Sequence, residues 1–202
     1  MQSAELGTYL VDGNGVTLYY FTKDSPGVSN ANANVIANWP VFYASSVIVT
    51  DLLNATDFGS ITRADGAKQT TFKDYPLYFF IQDKAPGDTK GQGVNNVWFV
   101  VDPEKFVAPV TLSLVAKSFA FDKSTITVKA GARVTVNFDN QDGAPHNLAI
   151  YTNSSATTSI FVGTVITGPS QTTYFFAAPD TPGSYFFRCD VHPNMNGTFV
   201  VQ

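Results

Sequence analysis

The sequence contains few of the side chains that bind transition metals through sulfur or imidazole nitrogen. Its 202 residues include one cysteine, two histidines and two methionines, of which one is Met1. A single cysteine cannot form a disulfide within the chain. A free thiol is a liability in an oxidising compartment unless a metal or another group occupies it. The position of each of these few residues is therefore informative.

Basic clusters and long apolar runs are also lacking. The formal net charge is −4, with 12 Lys and Arg residues against 16 Asp and Glu residues. Nucleic-acid binding needs concentrated positive charge, so we expect no nucleic-acid partner. No stretch is long or apolar enough to span a bilayer. Residues 1–5 do not look like a signal peptide, and a leader or lipid anchor removed earlier would leave no trace here, so we expect membrane contact only through such a lost anchor.

Aromatic and β-branched residues are abundant. Aromatic residues make up 14% of the sequence, with 17 Phe and 9 Tyr, and Gly and Pro interrupt the apolar runs often. Such residues favour pleated, half-buried surfaces, and no long stretch has helical periodicity, so the sequence predicts an all-β fold. The length suits two domains of about 100 residues each. Pro103 and Pro109 mark a short linker, which predicts domains at 1–105 and 106–202.

Most of the soft ligands lie together near the end of the sequence, at Cys189, His192 and Met195. Tyr185, Phe187 and Cys189 alternate as the inward-facing residues of a strand do. Cys189 is thus predicted to be the last inward residue of a strand, and the two later ligands fall on the tight loop that follows. A loop of this kind can wrap one metal ion.

The second histidine, His146, must reach this loop from elsewhere, after the strand predicted at 134–138. A lone Cys is most often a small buried hydrophobe, and a lone His is often a satisfied core or surface residue. Here, however, both histidines, the only cysteine and the only internal methionine are candidates for one site. Two imidazoles, a thiolate and a weak thioether hold copper in electron-transfer sites. The sequence therefore predicts one copper ion bound by His146, Cys189, His192 and Met195.

Residues 111–202 resemble a cupredoxin, the type 1 blue copper fold, which is a Greek-key β-sandwich or barrel. The pattern Cys-x-x-His-Pro-x-Met is most similar to the loop of the amicyanin group. Other runs that match the family are 119–121, 126–131, 140–147 and 182–185. The resemblance implies that Cys189, His146 and His192 are trigonal ligands and that Met195 is the weak axial one. It also implies that Asn147 ties the two ligand loops together.

The same resemblance implies a function. Cupredoxins carry electrons by cycling between Cu(I) and Cu(II), and their loop histidine, here His192, is the usual electron port. The expected partner is a redox protein, such as a cytochrome or a membrane oxidase or reductase, that docks near His192. The alternative is an extracytoplasmic copper-binding or copper-carrying surface protein that transfers no electrons. An enzyme is not expected, because catalytic coppers need further histidines. The implied location is periplasmic or extracellular, including the cell surface.

The first hundred residues contain an internal repeat, in which residues 18–27 are echoed by 77–87. In each copy a tyrosine and a phenylalanine alternate: Tyr19 and Phe21 in the first, and Tyr78 and Phe80 in the second. Alternation places both rings on one face of a strand. Each copy continues to an Asp and a Pro-Gly turn and is followed by a tryptophan. The repeat predicts two strand–turn units that share a core.

This Tyr-x-(Phe/Trp/Tyr)-x-x-Asp pattern resembles the secreted-repeat lipoprotein family over residues 8–103, a family whose function is largely undefined. The resemblance implies export. Members often carry a cysteine pair between the first Pro-Gly and the tryptophan, and residues 29–38 hold none. The region also lacks histidine and internal methionine, so we expect it to bind no copper.

Overall fold

The structure is a computed structural model that describes residues 1–50 and 53–202. The chain divides into two compact units, Met1–Phe106 and Val107–Gln202. The prolines of the linker predicted the boundary one residue earlier, between residues 105 and 106. Phe106 lies in the first unit because its ring packs against those of Tyr20 at 5.1 Å, Phe72 at 5.7 Å and Tyr75 at 5.5 Å between centroids. The described regular structure is almost entirely β, as predicted, and none of its helices is long and apolar enough to cross a membrane.

The first unit consists of short strands and turns. Its strands are β1 Gln2–Ser3, β2 Gly7–Thr8, β3 Tyr19–Phe21, β4 Phe58–Thr62, β5 Lys68–Phe72, β6 Tyr75–Pro76 and β7 Trp98–Val100. They pair as β1–β2, β3–β7 and β4–β5–β6. One helical turn, α1 Ala33–Ile36, is capped by Asn32, whose side chain accepts from two backbone amides. Two 3-10 turns span Ala55–Asp57 and Val94–Asn96.

The two repeat copies meet at Tyr19 and Tyr78. Each tyrosine amide donates to the carbonyl of the other, at 2.8 and 2.9 Å. The side chains also form hydrogen bonds between the two copies. The hydroxyl of Tyr19 donates to Asp83 at 2.7 Å, and that of Tyr78 donates to Asp24 at 2.8 Å. Each copy therefore supplies the acceptor for the tyrosine of the other, which gives a physical reason for the motif to occur twice.

The aromatic rings of the two copies also stack on one another. Phe21 stacks on Trp98 at 4.3 Å, Trp98 on Trp39 at 3.9 Å, and Trp39 on Phe80 at 4.2 Å. Each phenylalanine thus lies against the tryptophan that follows the other copy. Stacked and edge-on aromatic pairs contribute about 0.5–1.5 kcal/mol each beyond area burial. The two copies share a core, as the repeat predicted.

The first strand is buried on both faces, since Tyr20 is 7% exposed. One expectation about the repeat was wrong, because the second copy forms no regular strand. Tyr78 makes isolated bridges to Tyr19 on one side and Val41 on the other. The reason is that residues around Tyr78 hydrogen-bond in turn to different segments, for example Phe79 to Pro40, so no continuous ladder develops.

The second unit contains longer strands. They are β8 Val110–Lys117, β9 Ala120–Phe121, β10 Thr125–Val128, β11 Arg133–Asn140, β12 Pro145–His146, β13 Ala149–Tyr151, β14 Ser159–Val162, β15 Ile166–Thr167, β16 Ser170–Ala177, β17 Gly183–Arg188 and β18 Asn196–Val201. One sheet has the order β16-β11-β8-β9 and another β10-β18-β17-β13-β14, while β12 pairs with β15. The β8–β11 and β10–β18 pairs are parallel, and the other pairs are antiparallel. The span 151–168 contains both β14 and β15.

The core of the second unit lies between these two sheets. Alternate residues of β10 and β11 point into it, and Ile126, Val134 and Phe138 are at most 4% exposed. Phe187 and Phe199 enter from the opposite sheet and are fully buried. Cys189 and Met195 belong to the same buried cluster. The core therefore extends to the residues predicted to bind metal.

Candidate metal centre

Cys189 is delivered by the end of β17. The strand ends at Arg188, and the next residue, Cys189, is fully buried. Its amide donates to the carbonyl of Met195 at 2.9 Å, and the amide of Met195 donates to the carbonyl of His192 at 2.9 Å. Arg188 also pairs with Asn196 across the β17–β18 ladder. The loop 189–195 is thus closed by hydrogen bonds at its base and within it.

His146 is delivered by the short strand β12, which pairs with β15. Its neighbour Asn147 is buried and makes two contacts in opposite directions. The Asn147 Nδ2 donates to the carbonyl of Gly163 at 3.0 Å, while its Oδ1 accepts from the amide of Asp190 at 2.8 Å. Asp190 directly follows Cys189. Asn147 therefore ties the two ligand-bearing loops together, as the resemblance implied.

Three donor atoms converge between these loops. The Cys189 Sγ lies 3.6 Å from the Nδ1 of His146 and 4.0 Å from the Nδ1 of His192, and the two Nδ1 atoms are 3.2 Å apart. Cys189 and His146 are fully buried, and His192 is half-buried. Among the described residues, these three form a group whose ligand atoms all lie within 4.8 Å of one another. One sulfur and two imidazole nitrogens are the donor types that copper accepts in such sites.

Met195 lies beside this group. Its side chain is 2% exposed and packs in the same core cluster as Cys189. Its backbone is held by the bonds to Cys189 and His192. The closed loop thus holds the backbone of Met195 against those of Cys189 and His192, while the bond of its side chain to copper stays a prediction.

Two further residues contact the histidines and were missed by the sequence reasoning. The Nε2 of His146 lies 3.1 Å from the Oδ2 of Asp142. The ring of Phe119 stands edge-on to those of His146 and His192, at centroid distances of 5.6 and 5.0 Å. Hydrogen bonds lower the pKa of Asp142 below its ordinary value, and the bond from the Phe119 amide makes the largest contribution. Both residues lie in runs that match the cupredoxin family, 119–121 and 140–147, but no role was predicted for them, because their approach to the histidines depends on the folded chain.

Comparison with known families decides the class of this domain. Residues 96–201 match the sequence model of the cupredoxin-like domain. The chain belongs to the cupredoxin-like family. The cofactor of its cupredoxin domain is copper, one ion per chain, and the sulfur and imidazole donors of the centre fit that ion. Residues 2–43 and 59–102 match a model described as a secreted repeat of unknown function. No curated protein sequence matches the chain.

Solved structures similar to the cupredoxin domain include three bacterial proteins. The dithionite-reduced auracyanin of Roseiflexus castenholzii is 25% identical, with a TM-score of 0.42. The alignment covers 46% of this chain and 96% of the auracyanin chain. Auracyanin A of Chloroflexus aurantiacus, a blue copper protein, is 26% identical, with a TM-score of 0.42 and coverages of 46% and 99%. The amicyanin of Paracoccus versutus is 24% identical, with a TM-score of 0.36 and coverages of 46% and 81%.

Proposed function

We propose that this protein is an electron carrier whose single copper ion is bound by Cys189, His146, His192 and Met195. The observation that carries the proposal is the convergence of the Cys189 Sγ and the two Nδ1 atoms in one buried group. Copper, when bound there, alternates between Cu(I) and Cu(II) and so carries one electron. The sulfur donors suit Cu(I) and the imidazoles suit Cu(II), so the donor set serves both states.

The protein's part is to hold these donors still. Cys189 and His146 are fully buried in a close-packed core, which limits the positions that their side chains reach. Asn147 links their loops, and the bonds among Cys189, His192 and Met195 close the ligand loop. Donors that move little when charge changes lower the reorganisation that electron transfer requires, and a metal site is most rigid when residues beyond the ligands support it.

Electrons would enter and leave at His192, the ligand that is not fully buried. Two exposed apolar residues adjoin it: Val191 in the same loop, which is 41% exposed, and Phe119 against the ring, which is 58% exposed. Apolar surface around a redox centre suits brief docking of a redox protein, such as a cytochrome or a membrane oxidase or reductase. The match to a secreted repeat supports a location outside the cytoplasm, in the periplasm or at the cell surface.

An electron-transfer role without catalysis accounts for the histidine content. The sequence has two histidines, and both contribute to the group around Cys189. A copper enzyme of the nitrite reductase or multicopper oxidase kind needs further histidines for its catalytic ions. We therefore propose a carrier rather than an enzyme.

Voltammetry of the copper-loaded, full-length protein tests the proposal against the copper-carrying alternative. An electron carrier should give a reversible one-electron wave and keep its copper through repeated cycles in the presence of a competing Cu(I) chelator. A protein that surrenders its copper to the chelator at each reduction, with no reversible wave, would instead be a copper carrier.

The role of Met195 has its own test. Met195→Leu should retain copper but raise the reduction potential, because removal of a weak donor disfavours Cu(II) more than Cu(I). Leucine has a similar volume, so the buried packing should survive with a loss below about 1.5 kcal/mol. An unchanged potential would mean that Met195 is not a ligand.

A further inference from the structure

One carboxylate connects the copper centre to a strained turn at the surface. Asp142 lies in the loop between β11 and β12, four residues before His146. Its side chain is 14% exposed. Its Oδ2 faces the Nε2 of His146 at 3.1 Å, its Oδ1 accepts from the amide of Ser118 at 2.7 Å, and its Oδ2 also accepts from the amide of Phe119 at 2.9 Å. Two of these contacts reach a turn that holds none of the proposed ligands, and the third reaches the proposed ligand His146 itself.

The contact with His146 selects one protonation form of the neutral ring. A carboxylate accepts hydrogen bonds, so the nitrogen that faces it, Nε2, carries the proton. The other nitrogen, Nδ1, then presents its lone pair to Cys189 and His192, where a metal would bind. Histidines that bind metals commonly donate their second N–H to a carboxylate or carbonyl, which fixes the tautomer and the ring orientation.

The contacts with Ser118 and Phe119 stabilise a turn that its own residues disfavour. Lys117 pairs with Ala120, so these two residues form a two-residue hairpin loop between β8 and β9. Both have positive φ, +53° at Ser118 and +56° at Phe119. A hairpin loop with both residues at positive φ favours Asn and Gly, and other residues are disfavoured there. Two hydrogen bonds from the backbone amides to the Asp142 carboxylate offset that cost.

The strained turn places an aromatic ring on the centre. The ring of Phe119 is 58% exposed, yet it lies edge-on to both His146 and His192. An Asn-Gly turn would fit the backbone better but would leave both imidazoles without this ring. The position of Phe119 against the two imidazoles thus explains why this turn has a residue that its φ angle disfavours. That position depends on the carboxylate of Asp142.

We propose that Asp142 is a positioning residue of the copper centre, which sets the tautomer of His146 and the place of Phe119 through a single carboxylate. This inference rests on the proposed ligand role of His146. The negative charge of Asp142 beside this ligand also favours Cu(II) over Cu(I) and so lowers the reduction potential. The site is tuned by a residue that does not touch the metal.

The test compares Asp142→Asn with two matched variants in the full-length chain. Asp139→Asn removes the same formal charge from β11, where the carboxylate bonds to Gln141 and Gln171 instead of the histidine. Phe119→Leu removes the ring but keeps the carboxylate. NMR of the metal-free and Cu(I)-loaded forms measures two quantities, the exchange rate of the His146 Nε2 proton and the ring-current shifts of the His146 and His192 protons. Voltammetry measures the potential.

Asp142→Asn should speed exchange of the Nε2 proton about tenfold or more, because one hydrogen bond to a charged acceptor is lost. It should also remove the ring-current shifts and raise the potential more than Asp139→Asn does. Phe119→Leu should remove the shifts while exchange stays near the wild-type rate. Equal exchange rates, shifts and potentials in Asp142→Asn and Asp139→Asn would overturn the proposal.

A second background guards against misfolding. Ser118→Asn with Phe119→Gly gives the turn the residues that its φ angles favour, so it should fold without the carboxylate. Adding Asp142→Asn there should still speed Nε2 exchange. If exchange is unchanged in this folded background, Asp142 serves the turn alone and the proposal fails. The metal-free measurements report on positioning even if the copper protein carries no electrons, so the two proposals fail separately.

Discussion

The two units of this chain differ in one set of buried polar side chains. In the first unit, polar groups pair with one another, since Tyr19 donates to Asp83, and Tyr78 donates to Asp24. In the second unit, the Cys189 Sγ and the imidazole nitrogens of His146 and His192 face a common point. Buried polar groups need partners inside the protein. The Tyr–Asp pairs of the first unit satisfy each other and are structural. The sulfur and imidazole nitrogens of the second unit are all electron-pair donors, and a copper ion can bind them together.

Arg63 in the first unit and Arg188 in the second also differ in their partners. In the first unit, Arg63 is 9% exposed and donates to Ser29, to Gln69 at 2.8 Å and to the carbonyl of Ala31 at 2.8 Å. In the second unit, the guanidinium beside the ligand loop, Arg188, pairs with Asp190 at 2.8 Å. The Arg63 guanidinium thus satisfies buried polar partners in the first unit, while Arg188 pairs with the carboxylate that directly follows Cys189. Four experiments separate the two units.

The largest expected effect comes from Cys189→Ser. The thiolate is the source of the intense colour expected of Cu(II) in this site, so the variant should lose that colour completely. Far-UV circular dichroism should be unchanged, because serine is close in size and the first unit is not involved. Visible absorption of copper-loaded samples checks the prediction, and a Cys189→Ser protein that stays coloured would contradict the assignment.

Arg63→Met should act on the first unit alone. The variant removes the donors to Gln69 and Ala31, and a buried acceptor left without a partner costs about 1–3 kcal/mol. Urea unfolding followed by tryptophan fluorescence should show a loss of that order, since both tryptophans lie in this unit. The copper spectrum and potential should match the wild type. A changed copper signal would mean that the two units are coupled.

The first unit should also give the stability of the protein a dependence on pH. Burial raises the pKa of Asp24 from 3.8 to about 7, although Asn30 and Tyr78 donate to its carboxylate and moderate the change. Between these values the folded chain holds a proton that the unfolded chain releases. Stability should therefore decline as the pH rises from about 4 to about 7 and level off above. Burial raises the pKa of Asp83 as well, which acts in the same direction.

Asp24→Asn is the control for that decline. The amide does not titrate in this range, so the variant should show a flatter dependence of unfolding free energy on pH, measured in urea at pH 4.5 and pH 8. A variant that declines as steeply as the wild type would show that Asp24 is not the group responsible.

The smallest expected effect is that of cutting the chain. We propose that residues 107–202 form an independent domain, because their core lies between their own two sheets. This fragment should fold and show the full-length copper spectrum, whereas residues 1–106 should bind no copper. Its stability should fall only modestly, since interfaces between domains are often limited in area. A folded but colourless fragment 107–202 would show that the first unit contributes to the site.

The fold class and the candidate ligands were predictable from the sequence for identifiable reasons. The strand predicted at 134–138 matched a buried strand face because one side of its sheet is covered. The ligand candidates were few, because a single cysteine and two histidines leave little choice. The structure places Cys189, His146 and His192 together, while their bonds to copper, and that of Met195, stay predictions.

Other features depend on contacts that local patterns do not encode. Asp142 and Phe119 act on the centre because two turns distant in sequence meet in the folded chain. The second repeat copy has the same aromatic alternation as the first, yet its neighbours on either side prevent a regular strand. The exchange of Tyr–Asp bonds between copies follows from their pairing at Tyr19 and Tyr78, which no single copy reveals.

Titration of the metal-free, full-length protein with Cu(II), followed by visible absorption and EPR, tests the central claim most directly. The account predicts an intense thiolate-to-copper band that grows linearly and stops at one copper per chain, with one EPR signal from a single site. Saturation at two coppers per chain, or binding of one copper without that band, would contradict a centre built from Cys189, His146 and His192.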